Sequence, residues 1–420
     1  MLELINLIKD IFSGGLIREF SYYSFSTILY QASRVLVELA VARLLGPTLW
    51  GIWYLLNLII AYRGIFELGV VNGLNREIPM SLGRNDGRDV LIKNVTLSSV
   101  ILTTSLIGVL ILFSSIFIRD VTIRGSLLLL IPLFASSQFF FLIQSCYKAY
   151  ILFHRVSVQQ ILFSVTFPII TIPLAIFFDL YGFMIGYSIS LTLSTGIVLI
   201  LYPLKFRLEF NLPETRNLIR IGLPIMAVGI AYTFLNTIDR WFVSGFLSIK
   251  ELGYYSMAIL VFGIMVLFSR IISQQIYPRM AMDWSKTLSK LELLKWVSKQ
   301  TRYVSFLIIP LFIGVVTLFP LIIIYFLPDY SPGINALRII AIGTLFLPFS
   351  SGWGEVLNII DKQIYYLIII ISAIFLNIGL NFIFIKLGYG IEGIALGTTI
   401  TFGIYNISLM VISKKVLAAY

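Results

Sequence analysis

Residues 30–44 read YQASRVLVELAVARL. Two opposite charges, Arg34 and Glu38, stand near the middle of a segment that is otherwise apolar enough for lipid. A charge near the centre of a bilayer costs roughly 2.5–3.5 kcal/mol on insertion scales. If this segment is a membrane span, something must offset that cost.

The rest of the chain shows that it is one. The 420 residues are 59% hydrophobic with a mean hydropathy of +0.96, more apolar side chain than a soluble core absorbs. Runs of about 20 apolar residues, the length a helix needs to cross a bilayer, recur throughout. They predict an all-α polytopic membrane protein with about twelve transmembrane helices, at 21–43, 48–71, 93–118, 126–147, 157–178, 183–203, 218–241, 252–275, 303–325, 334–353, 364–385 and 391–412. Several contain Pro or Gly, which membrane helices tolerate. The opening MLELINLIKDIFSGGLIREF scatters Glu3, Lys9, Asp10 and Arg18 among its apolar residues. It lacks the order of a secretory signal and is expected to lie on the membrane surface as a short amphipathic helix.

The net charge of +11 is explained by its placement. With a cytoplasmic N-terminus, the inner connections hold Arg76, Arg84, Arg88 and Lys93, then Lys205, Arg207, Arg216 and Arg220. Arg279, Lys286, Lys290, Lys295, Lys299 and Arg302 follow on the same side. The outer loops hold only Arg43, Arg119, Arg124, Lys250 and Lys386. This asymmetry puts both termini in the cytoplasm and makes anionic lipid headgroups, rather than nucleic acid, the partner of the basic residues. The lone Cys146 excludes an internal disulfide and the lone His154 a histidine-rich metal site. There is no phosphate-binding Gly loop, Ser-His-Asp set or pair of catalytic carboxylates, so the chain reads as a non-enzyme without cofactor. No connection is long enough for a separate domain; the longest, roughly 276–302, suggests a short amphipathic helix around LELLKWVSK.

The two halves resemble each other. GIWYLL at 51–56 corresponds to GYYSMA at 253–258, and LYGFMIGYS at 180–188 to GYGIEGIAL at 388–396. Six spans per half make the copies parallel. The expected architecture is two parallel six-helix lobes around a central cavity, 1–205 (surface helix and spans 1–6) and 206–420 (spans 7–12). That plan suits a transporter working by alternating access.

Five basic residues fall inside spans: Arg34, Arg63, Arg240, Arg270 and Arg338. At about 1.5 Å per residue, Arg34 lies about 20 Å and Arg63 about 12 Å above the inner ends of their helices. Glu38 and Glu67 follow them by four residues, which on a helix shares a face. On adjacent antiparallel helices these four charges would form a ladder. Two readings stay open: the pairs neutralise each other and hold two helices together, or the arginines bind an anion that the carboxylates tune. Arginine suits the second, because its planar fork meets phosphate oxygens bidentately and stays charged. Arg240, beside Asp239, and Arg270 sit near span ends, where snorkelling also explains them; Arg338 lies in the outer part of its span. Asn377 and Asn381, one turn apart, are the kind of pair that joins helices.

ARLLGPTLWGIWYLLNLI (42–59) followed by FELGVVNGLNREIPM (66–80) resembles the opening of polysaccharide flippases of the Wzx type, in the superfamily of multidrug and toxin extrusion pumps and lipid II flippases. The stretch 219–258, with its acidic–Arg pair at Asp239 and Arg240, and YFLPDYSPGINALRII (325–340) are also similar to that family. The resemblance covers nearly the whole chain. It implies two six-helix lobes that open alternately and a polyprenyl-diphosphate-linked oligosaccharide moved from the cytoplasmic to the outer leaflet of the cell membrane. It also implies a diphosphate held by Arg34 and Arg63, then Arg240 and Arg270, with Arg338 a further candidate. Glu38, Glu67 and Asp239 are candidates to tune charge or carry a coupling proton or sodium ion. Twelve spans favour the polysaccharide branch over lipid II flippases, which carry two more. Implied partners are the lipid-linked oligosaccharide, membrane lipids and other polysaccharide-assembly membrane proteins. The rivals are a multidrug or metabolite exporter of the same superfamily, whose cavity would favour acidic residues, and a membrane-embedded glycan polymerase or ligase, which would need a larger outer loop.

Overall fold

The computed structural model describes residues 15–419; the surface helix expected at the N-terminus lies largely outside them. The described residues are nearly all helical, with no strand among them. Helices α1 (Gly15–Ala61), α2 (Arg63–Phe66), α3 (Val70–Arg84), α4 (Asp89–Ile116), α5 (Val121–Ala149), α6 (Phe153–Leu201) and α7 (Leu212–Leu235) come first. They are followed by α8 (Ile238–Phe246), α9 (Ile249–Thr287), α10 (Lys290–Phe326) and a 3₁₀ turn at Pro328–Gly333. The chain ends with α11 (Ile334–Thr344), α12 (Leu347–Ser350), α13 (Trp353–Ile359), α14 (Gln363–Lys386) and α15 (Gly390–Ala419).

Among the described residues, ten segments are long and apolar enough to cross a membrane. The two longest have 45 and 49 residues; at about 1.5 Å per residue each is long enough to cross a core about 30 Å thick twice. Each is broken where the sequence allows it. In α1 the break is Gly46, at φ 69°, followed by Pro47, the residue types that end one helix and begin the next. In α6 it is Phe178–Asp179, a bend so sharp that Gly182 packs directly on the carbonyl of Leu174. By length and composition, twelve crossings result among the described residues, the number the hydropathy pattern predicts. Side chains such as Phe113, Phe177 and Ile200 are exposed, which a membrane protein permits because lipid is an apolar solvent.

Three expected helices are interrupted. The second span stops at Ala61 instead of running to 71. The seventh breaks between Leu235 and Ile238, and the tenth is split into α11 and α12, with a further short helix, α13, starting at its last residue.

The chain packs as two compact units. One takes the residues up to Leu45 together with Leu56–Ile230; the other takes Gly46–Leu55 with Ala231–Tyr420. The sequence reading drew the boundary at 205/206. In packing, residues 206–230 go with the first unit and 46–55 with the second. The first unit's core includes Leu74 and Ile78 of α3, Ile92 and Val95 of α4, Cys146 of α5 and Leu218 of α7. Its close approach of α3 to α7 needs glycine: a Cβ at Gly73 would stand 2.6 Å from the carbonyl oxygen of Leu218, and Gly69 and Gly222 lie backbone to backbone. The connector from Tyr202 to Asn211 is tied to α4. The buried Asn94 accepts the Arg207 N–H (3.1 Å) and donates to the Glu209 carboxylate (3.2 Å), and Ser98 accepts the Glu209 N–H (2.8 Å). Arg88 closes this end with a salt bridge to Glu214 at 2.8 Å.

The second unit is built on Trp353, Val356, Leu357 and Ile360 of α13, against Ile369 and Ala373 of α14, Tyr405 and Leu409 of α15, and Val297 of α10. The second limb of α1 crosses the start of α9 so closely that side chains at Gly51 and Gly253 would overlap backbone: Gly51 meets the carbonyl of Ile249, and Gly253 that of Pro47. Asn377 and Asn381 are both buried and bonded to each other at 2.7 Å.

Candidate functional site

The charges of the first unit gather around Arg34. Helix α1 is continuous here, so Arg34 and Glu38 share a face and Nη2 donates to Glu38 Oε1 at 3.1 Å. Glu38 is buried and the Arg34 side chain is 28% exposed. The same spacing places Tyr30 one turn earlier, its ring centroid 6.0 Å from the guanidinium carbon. Arg34 Nε is buried with no hydrogen-bond partner.

Arg63 belongs to the same constellation but is held differently. The expected ladder assumed an unbroken helix from 48 to 71. The helix instead ends at Ala61, and a short turn at Arg63–Phe66 is followed by Leu68 at φ 50° and Gly69 at φ 78°. The stretch from Arg63 to Glu67 is nevertheless helical, yet the two side chains form no ion pair among the described residues. The Arg63 guanidinium lies over the ring of Phe141, 3.6 Å from its centroid, a cation–π contact. Arg34, Glu67, Tyr30 and Tyr187 all stand within electrostatic reach of it. Tyr30, Tyr187 and the rings of Phe163 and Phe167 form a continuous aromatic wall, with centroids 4.7–5.9 Å apart.

Helix α5 supplies a further polar group that sequence reasoning passed over. Phe134, Gln138 and Phe141 fall on one face of it. Phe134 packs on Phe66 (5.8 Å between centroids) and Phe141 lies under Arg63, so Gln138 is turned to the same side. It is 1% exposed, and neither amide atom has a partner. An amide between two phenylalanines in an apolar span was the available signal.

The remaining candidates are not brought to this cluster. Asp239 and Arg240 are successive residues of α8, so their side chains diverge. The Asp239 carboxylate accepts the Tyr255 hydroxyl at 2.9 Å and the Arg240 backbone N–H at 2.8 Å, and Arg240 Nε is buried without a partner. No side-chain ion pair joins them. The expected acidic–Arg pair is in this respect an acidic–tyrosine pair. Arg270 lines a cavity of about 270 Å³ in the second unit, together with Glu355 and Asn358. Arg338 is exposed on α11 and does not line this cavity. Among the described residues no three His, Cys, Asp or Glu side chains gather as metal ligands would.

Comparison with known proteins places this arrangement. The profile of a family described as polysaccharide biosynthesis protein matches residues 40–330. An uncharacterised membrane protein of Methanocaldococcus jannaschii is 27% identical over 247 residues, which is 56% of this chain and 57% of that protein, so the match spans little more than half the relative's length. The fold is similar to that of an inward-facing multidrug resistance MATE transporter, at TM-score 0.70 and 16% identity over 95% of each chain. It is also similar to the lipid II flippase MurJ in an inward closed conformation, at TM-score 0.68 and 18% identity over 94% of this chain and 87% of that one. With well over half its length matched by the profile, this multi-pass membrane protein belongs to the polysaccharide biosynthesis protein family and has the helical fold of the MATE and MurJ transporters.

Proposed function

We propose that the protein is a flippase carrying a polyprenyl-diphosphate-linked oligosaccharide from the cytoplasmic to the outer leaflet of the cell membrane, with both termini cytoplasmic, by alternating access coupled to a proton or sodium gradient. The observation that carries this is Arg63. It is a guanidinium in a membrane-crossing region, stacked on Phe141 at 3.6 Å and bonded to no carboxylate among the described residues. An unpaired charge is expensive in that setting and is best explained by an anion that comes and goes. Arg34 adds a second guanidinium whose Nε is unspent. Two planar forks within electrostatic reach of each other suit a diphosphate, which offers oxygens on two phosphorus centres. Glu38 holds Arg34 in place when the anion is absent, and Glu38 and Glu67 are the groups to exchange a coupling proton or sodium ion. Arg240, Arg270 and Arg338, with Asp239, take a secondary part in the second unit. The protein makes and breaks no covalent bond in this scheme.

The test is flipping of a labelled polyprenyl-diphosphate-linked oligosaccharide in proteoliposomes by the wild type, Arg34→Ala and Arg63→Ala, each checked for folding. Flipping by the wild type and failure of the folded variants supports the site. Equal flipping by all three makes the cluster structural. Export of a cationic drug without lipid flipping replaces this reading with a multidrug exporter.

A further inference from the structure

The 270 Å³ cavity of the second unit has a chemistry unlike that of the arginine cluster. Its charged groups are one arginine, Arg270, and one glutamate, Glu355, so its formal charge is zero. That is a poor site for a diphosphate or for an organic cation. It is also far roomier than a bare cation requires, since a bound metal sits within about 2.3–2.6 Å of its oxygens. Drug-sized ligands occupy roughly 300–1,000 Å³, so this volume suits something slightly smaller.

The walls are aromatic and hydroxyl-rich. Tyr232, Tyr366 and Tyr405 line the space, and Tyr405 donates its hydroxyl to that of Tyr366 at 3.4 Å. That leaves the Tyr366 proton free to donate. Arg270 and Asn358 are exposed and line the cavity, and neither side chain makes a hydrogen bond among the described residues. Ser269 Oγ is buried and unpartnered. Glu355 accepts only a long bond, 3.4 Å, from Gln300, which is itself fully buried with Oε1 unpartnered. Asn406, by contrast, is used up internally. It donates to the Phe402 carbonyl at 2.7 Å and accepts from Ser350, which fixes that wall.

We infer that this cavity is a saccharide subsite, holding a neutral sugar ring or short pair of rings of the transported glycan. A sugar presents alternating O–H donors and acceptors around an apolar C–H face. Tyr366 offers a ring for that face, while Asn358, Glu355, Arg270 and Ser269 offer donors and acceptors for the hydroxyls. The inference rests on the flippase reading above, and adds to it that the glycan is recognised by the second unit.

The experiment measures binding of two probes to the full-length protein in nanodiscs: bare polyprenyl diphosphate, and the same lipid diphosphate bearing an N-acetylglucosamine disaccharide. Wild type is expected to bind the sugar-bearing probe about tenfold more tightly, a difference of about 1.4 kcal/mol. Asn358→Ala and Tyr366→Ala are each expected to bring the two affinities together while leaving that for the bare probe unchanged; Tyr366→Phe keeps the stacking face and should retain part of the difference. Asn358 is exposed, so its variant keeps the test sound if Tyr366→Ala fails to fold. Equal binding of both probes by the wild type, or a difference that survives Asn358→Ala, overturns the subsite while leaving the flippase reading intact. If neither probe binds the wild type, both readings fall.

Discussion

Gly51 and Gly253 stand 202 residues apart in equivalent places of the internal repeat, and each is pressed against the helix that carries the other. Gly51 meets the carbonyl of Ile249 and Gly253 that of Pro47, two residues that are also 202 apart. The contact is therefore reciprocal: the same position of each copy receives the backbone of the other. Without side chains to separate them, membrane helices approach this closely and gain van der Waals contact.

Gly51→Leu and Gly253→Leu should each destabilise the protein, because the new side chain must push backbone rather than a flexible neighbour. Overpacking of this kind costs typically about 1–3 kcal/mol, occasionally more. Thermal unfolding in detergent reads the loss, and an unchanged midpoint for both variants would mean the helices separate freely. Gly83, with nothing near a Cβ, is the control position.

Glu38→Gln should tighten binding of bare polyprenyl diphosphate by about three- to tenfold. The 3.1 Å bond to Arg34 competes with the ligand for that guanidinium, and charge-assisted bonds run to about 1.5–3 kcal/mol before screening. The Arg34 side chain is partly exposed, which reduces the gain. Weaker binding by the variant would show that Glu38 positions Arg34 rather than restrains it.

Arg63→Lys should lose most of the binding that Arg63 provides, although the charge is kept. A compact ammonium cannot lie flat on Phe141 and present a fork at the same time. The expected loss is about tenfold or more in affinity for the bare lipid diphosphate, with Phe141→Leu giving a smaller loss in the same direction. Full affinity in Arg63→Lys would reduce the site to a point charge.

Asn94→Ala should loosen the connector after α6. It removes the acceptor of the Arg207 N–H and the donor to Glu209, and buried polar groups left unpaired cost about 1–3 kcal/mol each. Faster amide exchange at residues 203–210, without change in the first limb of α1, is the expected signature.

The turn after α3 should be sensitive to acid. Asp86 accepts from the Ser81 hydroxyl and from the Arg88 backbone N–H, which hold its carboxyl below its ordinary value of 3.8. A carboxyl with a depressed folded pKa adds stability above the unfolded value and loses it as pH falls through the folded one. The stability difference between wild type and Asp86→Asn should thus be present at neutral pH, begin to shrink below about pH 3.8 and vanish beneath the folded pKa. A difference that persists undiminished in strong acid would point to packing.

Hydropathy alone was enough to read the crossings, because lipid makes length and apolarity the dominant constraint, and the Gly46–Pro47 break is written in residue types that end and start helices. Arg34 with Glu38 was legible for the same reason: a regular helix makes four residues a contact distance. Arg63 with Glu67 has the same spacing but no ion pair among the described residues: the Arg63 guanidinium lies on Phe141 of α5 instead, a contact with a distant helix that no local pattern reports. Glu355 and Asn358 were passed over because they fall after the expected span 334–353, in what reads as a loop. The structure makes that stretch a short helix, α13, which brings these side chains into one cavity with Arg270, some 85 residues earlier in the chain.

The ten residues from Gly46 to Leu55 pack with the second unit although they lie early in the first half of the chain. A gene divided at its midpoint would therefore encode two polypeptides, neither of which is whole. The front piece would carry a strip of the other's interior, including Trp50 and Trp53, which are almost fully buried, and the back piece would lack it. Such fragments are expected to be soluble in detergent only together, each completing its fold by lending part of itself to its neighbour, as domain-swapped chains do.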